Sequence, residues 1–389
     1  MKPVKSIWFF IALSFTGISS AQEEENKVPQ VEIKGYIKDL QGMSFSDNLD
    51  SLSSINILHN RINLKVNASP KLSARIEIRN RLFWGDQVNQ IQSFSKLISR
   101  YNGLVDLSHI WIDKRNLVMH TVIDRLLLQY QSEKWDVKLG RQRINWGINN
   151  TWNPNDIFNA YDILDFDYEE RPGNDAIRIQ YYSPKNFTVE LACKPGKKKD
   201  ETIAALLYKF NKRNTDWQLL AGIFQQDWVL GSGWAGNIKK AGFKGEISYF
   251  HPRKNWLDTN GTISASLMAD QTFEKEWYVS LAVLFNSNPQ GIQAFGGNIF
   301  VNELSAKQLF PYRYAFYSGI MKSFSPVLSM NTSIIYSPEK NTLIIFPSFS
   351  WNAAANLDIN FIAQSFFAHT GQQYKTLGNT IFLRTKWSF

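Results

Sequence analysis

The chain carries one cysteine, Cys193, among 389 residues, which excludes an intramolecular disulfide framework and cysteine-rich zinc sites. Histidine is scarce too, at five, leaving few ligands for any other metal centre. Long hydrophobic runs are missing. Beyond the first 15 residues no apolar stretch approaches the roughly 20 residues that a spanning helix needs, and the mean hydropathy of -0.28 agrees. Helical insertion of the mature chain is excluded, so any membrane role must use strands. A strong charge imbalance is absent as well: the net charge is +9, or +7 without Lys2 and Lys5. Spread over so long a chain, that balance gives no reason to expect nucleic-acid binding.

Aromatic residues are abundant, with 27 Phe, 15 Tyr and 13 Trp making up 14% of the chain. A content of 44% hydrophobic and 20% charged residues fits neither a disordered tail nor a helical membrane protein. Length alone is compatible with two or three ordinary domains or with one large closed barrel.

Residues 1–21 read as an export signal. Lys2 and Lys5 form the charged start, Ile7 to Phe15 the apolar centre, and Ser19-Ser20-Ala21 the small residues before a cut after Ala21. No cysteine follows the cut, so lipid anchoring there is ruled out. Residues 22–30, QEEENKVPQ, are polar and include Pro29, as a flexible periplasmic leader would be. The remainder, 31–389, is expected to form a single unit.

Period-two alternation recurs throughout that unit, the mark of strands with one apolar and one polar face. In Arg61-Ile62-Asn63-Leu64-Lys65-Val66-Asn67 the Arg, Asn and Lys share one face and the aliphatic residues the other. The following segment places Arg75, Glu77, Arg79 and Arg81 opposite Ile76, Ile78 and Leu82. About seventeen such segments are discernible, many of ten or more residues, against roughly five or six for an ordinary globular strand.

The connections fall into two classes. Some are tight, such as Gln131 to Lys134, Ser183 to Asn186 and Ser325-Pro326; others are long, near Gly85 to His120, Trp146 to Gly173 and Asn286 to Phe310. Trp84, Trp135, Trp217, Trp277 and Trp387 stand at strand ends, as interfacial girdles require. Together these features predict an all-β fold, a transmembrane antiparallel up-and-down barrel. An even strand number keeps both termini on one side. Eighteen is expected, the missing strand lying between Asp227 and Asn260, with sixteen as the alternative count.

The last strand sets Ile381, Leu383, Thr385, Trp387 and Phe389 on one face and Arg384, Lys386 and Ser388 on the other. Its terminal Phe389 resembles the signal that outer-membrane barrels present to their assembly machinery. A second resemblance lies in the run LGRQRINWG, containing Gly140, Arg141, Gln142, Arg143, Trp146 and Gly147. It is followed by Asn153-Pro154-Asn155-Asp156 and then Arg171-Pro172-Gly173. This run resembles porin-type barrels of Gram-negative outer membranes, including alginate-export-like members, in which a Gly-Arg-Gln strand leads to Trp-Gly and a large loop. The resemblance implies a pore with an inward-folded third loop. It carries no list of sugar- or phosphate-binding residues.

Register assigns charge to the lumen, because side chains two apart on a strand share a face. Lys34, Lys38, Arg61, Lys65, Arg75, Arg79, Arg81, Arg125, Lys138, Arg178, Arg384 and Lys386 are expected to line it, against Glu32, Glu77 and Asp136. Arg141 and Arg143 fall on the apolar register. Either Gly140 marks a bulge that turns them inward, or they clear the bilayer at the rim.

The loop spanning 146–172 bears the opposite sign, with Asp156, Asp162, Asp165, Asp167, Glu169 and Glu170. Asn153 and Pro154 are placed to start a short helix on which Ile157, Tyr161 and Leu164 share a face. Packed on the inner wall, this loop would set carboxylates against the basic face across a constriction. Solvation of an extracellular loop and a calcium site are the competing readings of the same carboxylates. The run Lys197-Lys198-Lys199 is suited to lipopolysaccharide phosphates or simply to water.

The expected function is a channel for passive diffusion of small hydrophilic solutes, without cofactor or metal. A barrel serving polysaccharide or protein export and an outer-membrane hydrolase are the alternatives. No Gly-x-Ser-x-Gly or His-Glu-x-x-His occurs, and Gly231-Ser232-Gly233 lacks the strand-to-helix context of a phosphate loop. Expected partners are outer-membrane lipid, lipopolysaccharide and the assembly machinery, with a homotrimer as the porin-like assembly.

Overall fold

The structure, a computed structural model, describes residues 30–389 except 47, 48, 50, 102, 161, 162, 166, 168–170, 255, 290–303 and 372. The proposed export signal and most of the leader therefore lie outside the described residues. Nineteen strands follow in order. They are β1 (Gln30–Phe45), β2 (Ser53–Asn67), β3 (Leu72–Trp84), β4 (Ser108–Lys114), β5 (Leu117–Gln131), β6 (Trp135–Gln142), β7 (Asn174–Tyr182), β8 (Phe187–Lys194), β9 (Ile203–Lys212) and β10 (Thr215–Phe224). The series continues with β11 (Asp227–Ile238), β12 (Ala241–Pro252), β13 (Thr262–Phe273), β14 (Trp277–Asn286), β15 (Tyr314–Ser325), β16 (Leu328–Ser337), β17 (Thr342–Ala354), β18 (Leu357–Thr370) and β19 (Gln373–Ser388). Two short helices, α1 (Asp86–Gln90) and α2 (Phe94–Ile98), interrupt the β3–β4 connection.

Eighteen of the strands form a closed antiparallel wall in which each pairs with its sequence neighbour and β1 pairs with β19. The exception is β4. It pairs with the upper half of β5, from Ser108↔Val122 to Lys114↔Leu117, along the edge that β6 leaves free above Leu126. The strand missing from the sequence count is one of the pair β11 and β12, joined at Lys239-Lys240. That turn holds no Gly, Asn or Pro, and Lys239 itself takes a φ of 57°, so the usual turn residues were not there to be read.

Closure satisfies the backbone where lipid offers no partner. At the seam the terminal Phe389 and Gly35 exchange two N–H···O=C bonds of 2.9 Å each. Gly35 is required there, since a Cβ would stand 2.6 Å from the Phe389 ring and also collide with the Arg61 carbonyl.

The two faces of the wall invert the pattern of a soluble protein. Aliphatic side chains such as Leu128, Leu139, Ile177, Leu191, Leu230, Leu281 and Leu383 point outward and are exposed, while Lys38, Arg61, Arg125, Glu190, Glu246 and Gln364 are buried inside. This is the arrangement of a barrel in lipid with a polar lumen. Trp135, Trp217, Trp277 and Trp387 are exposed outward at the rim that holds both ends of the barrel. A few polar groups do face out, and they satisfy one another: Asn80 donates to Asn60 (3.1 Å), Thr121 to Asn80 (2.7 Å) and the Trp111 indole to Thr121 (2.9 Å).

The connections at this lower rim are short, and the long ones all lie at the opposite, upper rim. Upper inner positions are apolar because loops dock there. Leu40, Ile55, Ile57, Phe83 and Val118 receive Val88 of α1 and Phe94 of α2.

Replacing Gly35 by Leu forces the seam apart at Phe389. The expected cost is about 1–3 kcal/mol, read as a lower urea midpoint for the barrel refolded in lipid vesicles.

Candidate solute pathway

The inner face of β2, β3 and β5 carries a compact charge cluster. Arg61, fully buried, donates to Asp124 (2.5 Å) and to Glu77 (2.5 Å), and Arg79 donates to the other Asp124 oxygen at 2.8 Å. A break in the β3–β5 register between Glu77 and Ile78 skips one residue of β5. Asp124 and Arg125 consequently both turn inward. Strict alternation puts Asp124 on the lipid side, so it was not among the expected lumen residues. A carboxylate beside Arg125 within Val122-Ile123 and Leu126-Leu127-Leu128 was the available signal, because lipid would exclude it.

The other expected basic residues also stand beside carboxylates or polar groups. Arg178 grips Glu190 with Nε and Nη2 at 2.6 and 2.8 Å. Lys138 lies 3.4 Å from Asp136, Arg75 3.7 Å from Glu77, and Lys65 3.8 Å from Glu32. Arg384 donates to Asn360 (3.0 Å) and reaches Asp167 at 3.5 Å. Arg81 meets His120 Nδ1 at 3.2 Å and stacks its guanidinium over Phe83 at 5.1 Å. Arg125 donates to the carbonyls of Asp124 and Arg171. Lys34 and Lys65 sit at the lower mouth, where Lys34 is largely exposed.

The described residues of the β6–β7 connection (143–160, 163–165, 167 and 171–173) enter the barrel as a strap. Trp146, Ile157 and Phe158 fill an apolar patch with Ala192, Leu207, Leu220 and Val229, and Trp152 fills another with Leu284, Phe310 and Ile335. The Trp146 indole donates to Glu190 at 2.6 Å. Gly147 is needed for close approach, because a Cβ there would run into the Asn153 side chain.

The expected helix after Asn153-Pro154 is not found among the described residues, 153–160 being turns and irregular backbone. Asn153 to Ile157 make turns, with Asp156 N–H donating to the Asn153 carbonyl at 3.1 Å. The Asp156 carboxylate is engaged elsewhere, taking the Trp146 N–H (3.3 Å) and Arg171 Nη1 (2.9 Å). Asp156 thus pairs within the strap rather than across the lumen. Asp167 does reach the far wall, 2.7 Å from the buried Lys38, and the Gln364 side chain of β18 donates to the Leu164 carbonyl at 3.1 Å. Asp162, Glu169, Glu170 and Tyr161 lie outside the described residues.

Arg141 keeps the outward register, opposite Leu126 and Asp175 with no shift at Gly140, so the bulge alternative is the wrong one. Gly140 nonetheless has a φ of +113°. Arg141 sits at the upper rim, buried under the β3–β4 connection. It binds Asp175 at 2.8 Å, donates to the Ile123 and Val105 carbonyls and lies 4.1 Å from the Tyr101 ring centroid. It therefore closes the fork where β4 takes over from β6. Gln142 turns back to donate to the Ala176 carbonyl at 3.0 Å. Arg143 follows the end of β6 and acts electrostatically on Asp156. A Cβ at Gly173 would collide with the Asp124 carbonyl and come within 2.6 Å of Arg141.

Above the charge cluster, between strap, β3–β4 connection and wall, opens a cavity of about 880 Å³. Arg79, Arg81, His59, His120 and Asp124 border it on the wall, and Asp165 and Asp167 on the strap. Arg79 Nε, Arg81 Nε and His120 Nε2 are buried without a hydrogen-bond partner among the described residues. His59, His120 and His251 contact Tyr36, Arg81 and Tyr249. Among the described residues no group of three or more His, Cys, Asp or Glu is placed to hold a metal ion.

Asp124→Asn strips the buried Arg61 and Arg79 of a shared counter-charge. Leaving such a charge uncompensated costs about 3–5 kcal/mol, measurable as a drop in urea stability greater than that of Arg75→Gln at the half-exposed mouth.

No protein-family model matches the chain, and no curated protein matches it in sequence. Solved structures do match. Acinetobacter baumannii OccAB4 superposes with a TM-score of 0.60 at 9% identity, covering 94% of this chain and 100% of that one. Pseudomonas aeruginosa OprD gives 0.57 at 10% identity, over 92% and 95%. Pseudomonas aeruginosa OccK7 gives 0.55 at 8% identity, over 92% and 97%. At such identities the likeness is one of fold alone: the chain has the closed eighteen-strand antiparallel barrel that these solved structures also have.

Proposed function

We propose that the chain is a passive channel for small hydrophilic solutes, whose selective section lies between the basic wall and the strap. The observation that carries this reading is the strap itself. It enters a polar lumen and brings Asp167 against Lys38 and Arg384, at the border of the cavity that Arg79, Arg81 and Asp165 also line. Charges of opposite sign facing one another across a water-filled passage create a transverse field, which orients dipolar solutes and separates the paths of cations and anions. The hydrolase alternative finds less support: no described histidine contacts a serine hydroxyl. Assembly in the membrane is proposed to use the terminal strand with Phe389, and the signal peptide to precede it.

Reconstituted into planar bilayers, the purified protein is expected to give stepwise ohmic conductance; a silent, stable insertion would remove the reading. Replacing Asp165 and Asp167 together by Asn is expected to shift the reversal potential toward anion selectivity. An unchanged reversal potential would set aside the transverse field.

A pH dependence follows from Asp156. Burial pushes its carboxyl up to about 7, against the pull of Arg171, the Trp146 N–H and Arg143. A pKa raised in the seated strap favours that state below the ordinary carboxylate range and weakens it as pH rises through about 7. Conductance fluctuations are expected to grow between pH ~4 and ~8, and Asp156→Asn to flatten that rise.

A further inference from the structure

The strap is held most firmly on the wall opposite the charge cluster. Glu246 of β12 points into the lumen and is 1% exposed. Its Oε1 accepts the N–H groups of Ile148 (2.5 Å) and Asn149 (2.8 Å), and its Oε2 accepts that of Asn155 (2.9 Å). These three backbone donors belong to an irregular segment with no strand to pair with, so the carboxylate supplies what secondary structure does not. Glu246 has no ion-pair partner among the described residues. What surrounds the carboxyl is three peptide N–H dipoles rather than a cation.

The surroundings are shaped for the same purpose. The Asn155 side chain donates to the Ser232 carbonyl (3.0 Å) and accepts from Ser248 (2.7 Å), while Ser266 donates to the Trp152 carbonyl (2.8 Å). The lumen side of β11 is cleared: a Cβ at Gly231 would stand 2.6 Å from Asn155 Oδ1, and one at Gly233 2.8 Å from Ile148 Cδ1. Glycine inside a strand weakens it and is kept where another backbone approaches closely. In the ring of eighteen, β12 lies eight strands from β1 by the shorter way, so between Asn155 at this seat and Asp167 at Lys38 the strap reaches nearly to the far wall.

We propose that Glu246 is the positioning residue of the strap. Together with Gly231, Gly233, Ser248 and Ser266 it forms a built seat that sets the width of the narrow section. The proposal rests on the channel reading and specifies which contact controls the opening. Without the seat, three buried N–H groups lose their acceptor and residues 148–155 leave the wall. The strap is then held by Trp146 and Trp152 in their apolar recesses, by Gln364 at the Leu164 carbonyl and by the Asp167 contact.

The test uses the full-length protein with Glu246→Gln, Glu246→Ala and Gly233→Val, each checked for a folded barrel by heat-dependent gel migration. Valine is a good strand former and changes no charge, so it separates loss of the seat from loss of a carboxylate. Glu246→Ala and Gly233→Val are expected to raise single-channel conductance at least two-fold, with Glu246→Asp and Glu246→Gln, which keep an acceptor oxygen, falling between them and the parent. If the parent conducts and the three folded variants keep its conductance, the proposal is overturned. If the parent is silent, it is the channel reading that falls. The seat is then judged by trypsin cleavage at Arg143 and Arg171: faster cutting in the variants supports it, and equal rates overturn it.

Discussion

Lipid cannot accept or donate a hydrogen bond, and every other feature of this molecule follows from that constraint. A strand in the bilayer must give all its peptide groups to neighbours, so the sheet closes on itself and β1 meets β19. The last residue of the chain completes the ring at Gly35. With aliphatic side chains committed to the outside, the charged ones have one place to go. Inside, they neutralise each other in short contacts such as Arg61 with Glu77 and Asp124, or Arg178 with Glu190. Burying one such charge without its partner costs several kcal/mol, whereas the pair is nearly balanced.

The lumen so formed has two unlike sides. The β2–β3–β5 side is crowded with guanidinium and carboxylate groups, whereas around the buried Glu246 the β11–β13 wall offers Gly231, Gly233, Ser248, Ser264 and Ser266. Long side chains leave no room for a peptide segment, and small ones do. The strap accordingly lies against the small-residue side, pinned at Glu246 and by Trp146 and Trp152 in apolar recesses. It presents Asp167 to the charged side. The narrow section is thus a consequence of where volume is missing from the wall as much as of charge.

Some of the charge pattern that alternation predicts changes meaning once partners are known. Most members of the expected basic face have a carboxylate within 4 Å. Asp156 bears the sign expected of a constriction residue and yet spends it on Arg171 in its own loop. The Gly231-Ser232-Gly233 run, unsuited to phosphate, finds its place as clearance for Asn155.

By itself the sequence determined the class of fold, the alternation of apolar and polar faces along strands such as β2, β3 and β19, and the division into short and long connections. Each of these depends on period-two patterning and on residues close along the chain. Only the tertiary structure decided the hairpin at Lys239-Lys240, where tight pairing imposes a turn that the local residues do not announce. It also decided the inward turn of Asp124, which depends on a register break against β3, and the role of Glu246, whose three partners lie more than 90 residues away in sequence. Contacts made across a closed ring leave no trace in local spacing, because what brings the residues together is the closure and not their order.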